Sequence, residues 1–119
     1  MTEGTLIDTD VLIDHFRGAR ALRSPASGRI AYSVVTRCEL FAGKTVIEDR
    51  VSHVLEPIDE IPVNRRVAEE AGRLRREHGL RTPDAIIAAT ALIERLTLMT
   101  SNVRDFADVP GLTVRTSRE

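Results

Sequence analysis

The chain has 119 residues, a length that predicts one folded domain spanning residues 1–119, and its 42% hydrophobic content favours a packed core over disorder. Seventeen basic residues nearly balance eighteen acidic ones, and the resulting net charge of −1 argues against a generally basic nucleic-acid-binding surface. No apolar run reaches the ~18 residues that cross a bilayer, and the single cysteine excludes an intramolecular disulfide. We therefore expect a cytoplasmic protein with no membrane segment.

Short β-prone runs alternate with helical patterns along the whole chain. In chain order the sequence predicts strand 5–7, helix 9–18, a turn at 24–28, strand 29–32, helix 33–43, helix 45–55, strand 58–63, helix 64–79, helix 84–94, strand 96–99 and strand 112–114. Thr9 or Asp10 is expected to cap the first helix, and Asn64 and Gly79 to bound the longest one. The alternation predicts an α/β fold, with a mostly parallel central sheet of four to five strands and helices on both faces.

Acidic and amide side chains are concentrated where the predicted strands end. Asp8 closes the first strand, and Asn102 and Asp105 follow the strand at 96–99. Because ligands of open α/β sheets bind beyond the carboxyl ends of the strands, these residues are candidates for a site. Glu39 lies on an apolar helix face and Asp84 in the first turn of an apolar helix, and both could reach the same edge. Each acid also has a structural interpretation, as a helix cap, a partner of an arginine or a charge on a helix dipole.

Clustered carboxylates would need cations, since two of them ~4 Å apart repel by about 4 kcal/mol at an effective dielectric of 20. The only lysine is Lys44, and only Arg104 lies within the strand-end segments. Oxygen ligands favour hard divalent ions, so we expect Mg²⁺ or Mn²⁺. The histidines are scattered without metal-ligand spacing, and Asp10 is a possible secondary contributor.

The segments that carry these residues resemble the four motifs of PIN-domain nucleases, in the family's order and over residues 5–114. They are 6–13 (LIDTDVLI), 33–43 (SVVTRCELFAG), 83–91 (PDAIIAATA) and 100–106 (TSNVRDF) followed by 109–112 (VPGL). The second motif is similar to that of the family's bacterial toxin branch. The resemblance implies a PIN-like three-layer fold.

By the same resemblance, the chain is expected to be a VapC-type toxin of a type II toxin–antitoxin pair. Such proteins are Mg²⁺- or Mn²⁺-dependent endoribonucleases that leave 5′-phosphate and 3′-hydroxyl ends, are often homodimers, and are neutralised by a VapB-type antitoxin. Asp8, Glu39 and Asp84 match the family's three acids. Asn102 stands where many PIN nucleases have aspartate, with Asp105 three residues later, so the resemblance leaves open which of these two completes the site.

A group of arginines near Asp84 is a candidate RNA-binding surface. Arg73, Arg75, Arg76 and Arg81 form the densest basic cluster of the sequence, at the end of the longest predicted helix. They could guide RNA phosphates toward the acids, or they could simply form a solvated helix face.

Two other functions are compatible with parts of the sequence. A haloacid-dehalogenase-type phosphatase would explain the paired acids Asp8 and Asp10, but its chemistry needs a lysine near the phosphoaspartate, and Lys44 is poorly placed after the second helix. A catalytically impaired PIN-like module that binds a partner without cleaving RNA would explain Asn102.

Overall fold

The computed structural model describes residues 4–18 and 28–117. Within these residues the chain forms five strands and six helices, which are β1 (Gly4–Ile7), α1 (Thr9–Phe16), β2 (Arg29–Ser33), α2 (Val34–Phe41), α3 (Glu48–Leu55), β3 (Asp59–Ile61), α4 (Arg65–His78), α5 (Thr82–Glu94), β4 (Thr97–Thr100), α6 (Val103–Phe106) and β5 (Val114–Thr116). None of the described helices has the length and apolar content needed to span a bilayer.

The strands form one parallel sheet in the order β3-β2-β1-β4-β5, which confirms the predicted fold class. The chain moves outward from β1 to β3 and then returns to place β4 on the opposite side of β1. The strand order therefore reverses beside the central strand. In open parallel sheets, ligands bind beyond the carboxyl ends of the strands at such a reversal. A site is therefore expected where β1 and β4 end.

Neighbouring residues of each strand point to opposite faces of the sheet and contribute to two separate cores. Leu6 and Leu98 belong to a core on one face, which α4 and α5 complete. Ile7 and Met99 belong to the core on the other face, where α1, α2 and α3 pack. Helix α5 buries six of its thirteen residues, five of them apolar, as expected from its apolar composition. Helices thus cover both faces.

The ends of α4 follow the sequence signals. The Asn64 side chain accepts a hydrogen bond from the Val67 N–H at 2.9 Å and so caps the first turn. Gly79 ends the helix with a φ of 69°, a left-handed conformation that glycine adopts without the steric cost of a Cβ.

The cap of α1 differs from the prediction, because Asp8 occupies that position instead of Thr9 or Asp10. The Asp8 carboxylate accepts a hydrogen bond from the Thr9 N–H at 2.8 Å. Helix α6, which follows β4, was not predicted from the sequence. Of the predicted turn at 24–28, residues 24–27 lie outside the described part of the chain.

Other boundaries shift for local reasons. The strand predicted at 112–114 begins only at Val114, because the N–H of Leu112 is still bonded within a turn to the carbonyl of Val109, at 3.3 Å. Strand β3 ends before Pro62, which has no N–H to donate to a ladder. Helix α5 begins at Thr82, ahead of the predicted start at residue 84.

Candidate active site

Five acidic side chains from four segments lie near the carboxyl edge of β1 and β4, where their charges raise the pKa of Asp8 and of Asp84. We call them the acid cluster: Asp8, Asp10, Glu39, Asp84 and Asp105. Asp8 follows β1 directly, and Asp10 lies in the first turn of α1. Helices α2, α5 and α6 supply the other three. The fold therefore brings together the acids that the sequence placed at separate strand and helix ends.

Asp8 is the most deeply buried member of the acid cluster, with 5% of its surface exposed. One carboxylate oxygen caps α1, and the other accepts a hydrogen bond from the Thr100 hydroxyl at 2.7 Å. The Thr100 oxygen in turn accepts the Asn102 N–H at 3.0 Å. Burial, followed by the negative charge of Asp10, raises the pKa of Asp8 to about 7, although the two hydrogen bonds oppose the shift. A cation beside Asp8 would lower that pKa again.

Asp10 ties the segment after β4 to the start of α1. Its Oδ2 accepts hydrogen bonds from the Ser101 hydroxyl and from the Asn102 side-chain amide, the latter at 2.6 Å. Its Oδ1 is buried and has no hydrogen-bond partner among the described residues. A buried carboxylate oxygen without a partner is costly, and such oxygens are usually satisfied by water or by an ion. Asp10 therefore belongs to the site more fully than its sequence context suggested.

Glu39 is held by hydroxyl groups. The Thr9 hydroxyl donates to Glu39 Oε1 at 2.6 Å, and the Thr9 oxygen also lies 2.9 Å from the Thr36 hydroxyl oxygen. The alternative suggested by the sequence, a glutamate paired with an arginine, is not observed at this position. Indeed, within residues 4–18 and 28–117, no member of the acid cluster forms an ion pair with a basic side chain.

Asp84 is half-buried in the first turn of α5. Burial raises its pKa, the charges of Asp105 and Glu39 raise it further, and the positive charge of Arg81 partly compensates. Asp105 therefore acts electrostatically on Asp84, whereas the Asn102 side chain is bonded to Asp10. The two candidates for the fourth position thus contribute differently: Asp105 adds charge, and Asn102 donates a hydrogen bond inside the site.

The donor atoms of the acid cluster fit a hard divalent cation. Every candidate ligand is a carboxylate oxygen, the type that Mg²⁺ and Mn²⁺ prefer, and the buried Oδ1 of Asp10 has a free acceptor position. Among the residues that the structure describes, no three carboxylate, histidine or cysteine side chains already enclose a potential metal position. Charge balance and donor chemistry, rather than a closed cage, therefore favour an ion here.

The four arginines of the sequence-predicted RNA surface are not equivalent. Arg73 and Arg76 each lie beside a glutamate of α4, at 3.1 and 3.5 Å. Arg75 donates to a backbone carbonyl between α4 and α5 at 3.3 Å. Arg81 lies close enough to the acid cluster to lower the pKa of Asp84. Arg75 and Arg81 are therefore the members without a carboxylate partner among the described residues.

Sequence reasoning did not single out the hydroxyl side chains of this site. Thr9, Thr100 and Ser101 donate hydrogen bonds to carboxylates of the acid cluster, and the Thr36 hydroxyl bonds to that of Thr9. Thr100 and Thr36 are completely buried, which is unusual for a polar side chain unless it has a hydrogen-bond partner. Thr36 lies in the motif at 33–43 and Thr100 in the motif at 100–106, and this was the available signal. Serine and threonine are too common for position alone to identify them.

This sheet order and acidic edge define the class of a PIN domain, and residues 5–112 match the PIN domain family model. The chain is 37% identical over 113 residues to Ribonuclease VapC10 of Mycobacterium tuberculosis, covering 85% of this chain and 84% of that protein. It is 34% identical over 122 residues to Ribonuclease VapC19 of the same species, with coverages of 90% and 95%. A toxin–antitoxin complex from Klebsiella pneumoniae contains a similar chain, with 37% identity, a TM-score of 0.76 and coverages of 92% and 95%. The chain therefore belongs to the PIN-domain family, in the group that includes the VapC ribonucleases.

Proposed function

We propose that this protein is a metal-dependent endoribonuclease and the toxin of a type II toxin–antitoxin pair. The observation that carries the proposal is the acid cluster, in which five carboxylates share one edge of the sheet without an ion-paired basic side chain among the described residues. The similarity to proteins named as VapC ribonucleases supports RNA as the substrate. The similar chain in a toxin–antitoxin complex supports a VapB-type antitoxin as the partner.

Asp8, Glu39 and Asp84 would hold a divalent ion, Mg²⁺ or Mn²⁺, with Asp10 and Asp105 adding charge nearby. When bound, such an ion supplies the positive charge that makes water nucleophilic at neutral pH and stabilises the charge that develops on the phosphate. The expected products carry a 5′-phosphate and a 3′-hydroxyl.

The protein's own contribution is to keep the acids oriented. Thr100 fixes one oxygen of Asp8, and Thr9 fixes one oxygen of Glu39, so both carboxylates keep defined directions. Because metal ligation requires a deprotonated carboxylate, ion binding should release a proton from Asp8, whose pKa is about 7 without the ion. Activity at a limiting ion concentration should therefore increase with pH between about 6 and 8.

The RNA backbone must approach this negative edge with the help of cations. Arg81 and Arg75 are the members of the arginine group best placed for this role, because Arg73 and Arg76 already have glutamate neighbours. We further propose that the chain works as a single nuclease domain and assembles as a homodimer with its antitoxin.

Comparison of two aspartate-to-asparagine substitutions with a matched control tests the proposal. Asp8→Asn and Asp84→Asn should each abolish Mg²⁺- or Mn²⁺-dependent RNA cleavage and growth arrest, while the folded state persists by circular dichroism. Asp49→Asn changes an exposed acid in the first turn of α3 and should cleave RNA like the wild type. Full activity of either site variant, measured against an EDTA blank, would contradict the assignment.

The non-catalytic module is the less favoured alternative. Its support was the amide at position 102, and the negative charge of Asp105 near Asp84 argues against it. A wild-type protein that arrests growth but cuts no RNA with any divalent ion would favour the module instead.

A further inference from the structure

A cavity of about 210 Å³ adjoins the acid cluster between α1, α2, α3 and the loop that joins α2 to α3. Its apolar lining consists mainly of Ile13, Phe16, Leu40, Val46 and Val51. Glu39 belongs to this lining and is also the acid to which Thr9 donates. The cavity and the candidate active site are therefore continuous through one side chain.

Two cations accompany the apolar lining. Arg17 and Arg50 both line the cavity, and the Arg50 guanidinium lies 5.4 Å from the centroid of the Phe16 ring. Within the described ranges, neither arginine forms an ion pair with a carboxylate. The cavity thus combines the stacked Arg50–Phe16 pair with the positive charge of two arginines, and it lies next to the negatively charged acid cluster.

We propose that this cavity receives the base of one unpaired nucleotide next to the scissile phosphate, with Arg17 and Arg50 contacting the adjoining backbone phosphate. Proteins recognise single-stranded RNA by stacking splayed bases on aromatic rings and on arginine planes. The volume of about 210 Å³ leaves room for one base. An apolar peptide would cover the lining but would leave both guanidinium groups without a counter-charge.

The position of the cavity favours RNA in a second way. In the proposed function, on which this inference rests, the scissile phosphate must lie across the acid cluster. A neighbouring nucleotide then lies beside Glu39, and an apolar, positively flanked cavity opens there. The cavity would therefore select the base on one side of the cleaved bond and so contribute to sequence preference.

Removing single bases from the substrate provides the first test. A short single-stranded RNA that the wild-type protein cuts at one bond can be selected from a randomised pool in the presence of Mn²⁺. Each nucleotide is then replaced in turn by an abasic ribose. We expect one position, adjacent to the cleaved bond, at which the loss of the base lowers kcat/KM by about tenfold or more, the size of effect that stacking one base provides.

Filling the cavity provides the second test. Val46→Phe places a ring in the cavity, and Val63→Phe is the matched control, because Val63 is an exposed valine outside the lining. In Val46→Phe, kcat/KM on the intact RNA should fall to the value of the abasic RNA, and the abasic substitution should cost nothing more. If Val46→Phe folds poorly, Arg50→Gln replaces it in this test, because it leaves the apolar lining intact. Arg50→Gln should lower kcat/KM on the intact RNA by a smaller factor, and the abasic substitution should again cost less than it does in the wild type.

Three results would overturn the proposal. One is a wild-type protein that cleaves RNA and whose kcat/KM is the same whichever base is removed. Another is a Val46→Phe protein in which removal of the base lowers kcat/KM by the same factor as in the wild type. The third is a Val46→Phe protein that cuts RNA like the wild type but whose growth arrest the antitoxin no longer relieves, since the cavity would then bind a protein. A wild-type protein that cuts no RNA would remove the proposed function itself, and the base site with it.

Discussion

Replacing Asp8 with asparagine should stabilise the protein at pH 8 in the absence of divalent ions, even though it abolishes cleavage. Burial and the charge of Asp10 raise the pKa of Asp8 from 3.8 to about 7 in the folded state. Between these two values the unfolded chain has lost the proton while the folded chain keeps it, so stability decreases as pH rises from about 4 to about 7. Above pH 7 both states are ionised and the full destabilisation is present.

The size of this effect follows from the pKa shift. A difference of about three pH units corresponds to roughly 4 kcal/mol, at about 1.36 kcal/mol per unit, and this is an upper bound for the gain of the variant at pH 8. Asparagine remains a good helix cap, so the first turn of α1 should survive the change. One kcal/mol shifts the melting temperature of a chain of this size by about 4 °C, and we expect at least that increase.

Thermal unfolding in EDTA at pH 5 and pH 8 measures this effect. Asp8→Asn should melt above the wild type at pH 8, and the difference should shrink at pH 5. The control Asp49→Asn should melt at or slightly below the wild type, because it removes an acid from the first turn of a helix. Mn²⁺ at 100 times its Kd should stabilise the wild type by about 2.7 kcal/mol but the variant much less. A variant that melts no higher than the wild type at pH 8 in EDTA would refute the reasoning.

Three further changes test other parts of the structure. Thr100→Val removes the hydroxyl that orients Asp8 and should weaken Mn²⁺ binding about 10- to 100-fold by calorimetry; unchanged affinity would contradict an orienting role. Arg81→Gln should flatten the salt dependence of RNA binding, whereas Arg76→Gln, whose arginine has a glutamate neighbour, should not; equal slopes would contradict the distinction. Leu98→Ala, at a fully buried position of β4, should cost about 2–5 kcal/mol in urea unfolding, and a cost below 1 kcal/mol would mean that the core relaxes around it.

Much of the fold could be predicted from local signals. Asn64 and Gly79 bound α4 because a capping side chain and a left-handed glycine act within a few residues of the helix end. The sheet class followed from the alternation of strands and helices. Helix α6 escaped prediction because four residues carry no periodicity and its N-cap, Asn102, makes no side-chain capping bond.

The candidate site could be predicted only in part. Separate motifs identified the carboxylates, but the partners of those carboxylates depend on the register between distant strands. Pairing of Ile7 with Met99 places the end of β4 beside the end of β1, and Thr100 then reaches Asp8 across 92 positions of sequence. Asp10 was underestimated for the same reason, because its partners lie on the segment after β4.

Helix α1 has a consequence beyond its packing. Its first turn carries Asp10, a member of the acid cluster, and Thr9, which donates to Glu39. Its last residue, Phe16, lines the cavity. Eight helical residues span about 12 Å, a fixed length that loops of the same number of residues would not provide. In the proposed arrangement the length of α1 sets the distance between the scissile bond at the acid cluster and the base in the cavity. Adding or removing a turn of this helix should therefore move the cut along the RNA instead of merely slowing it.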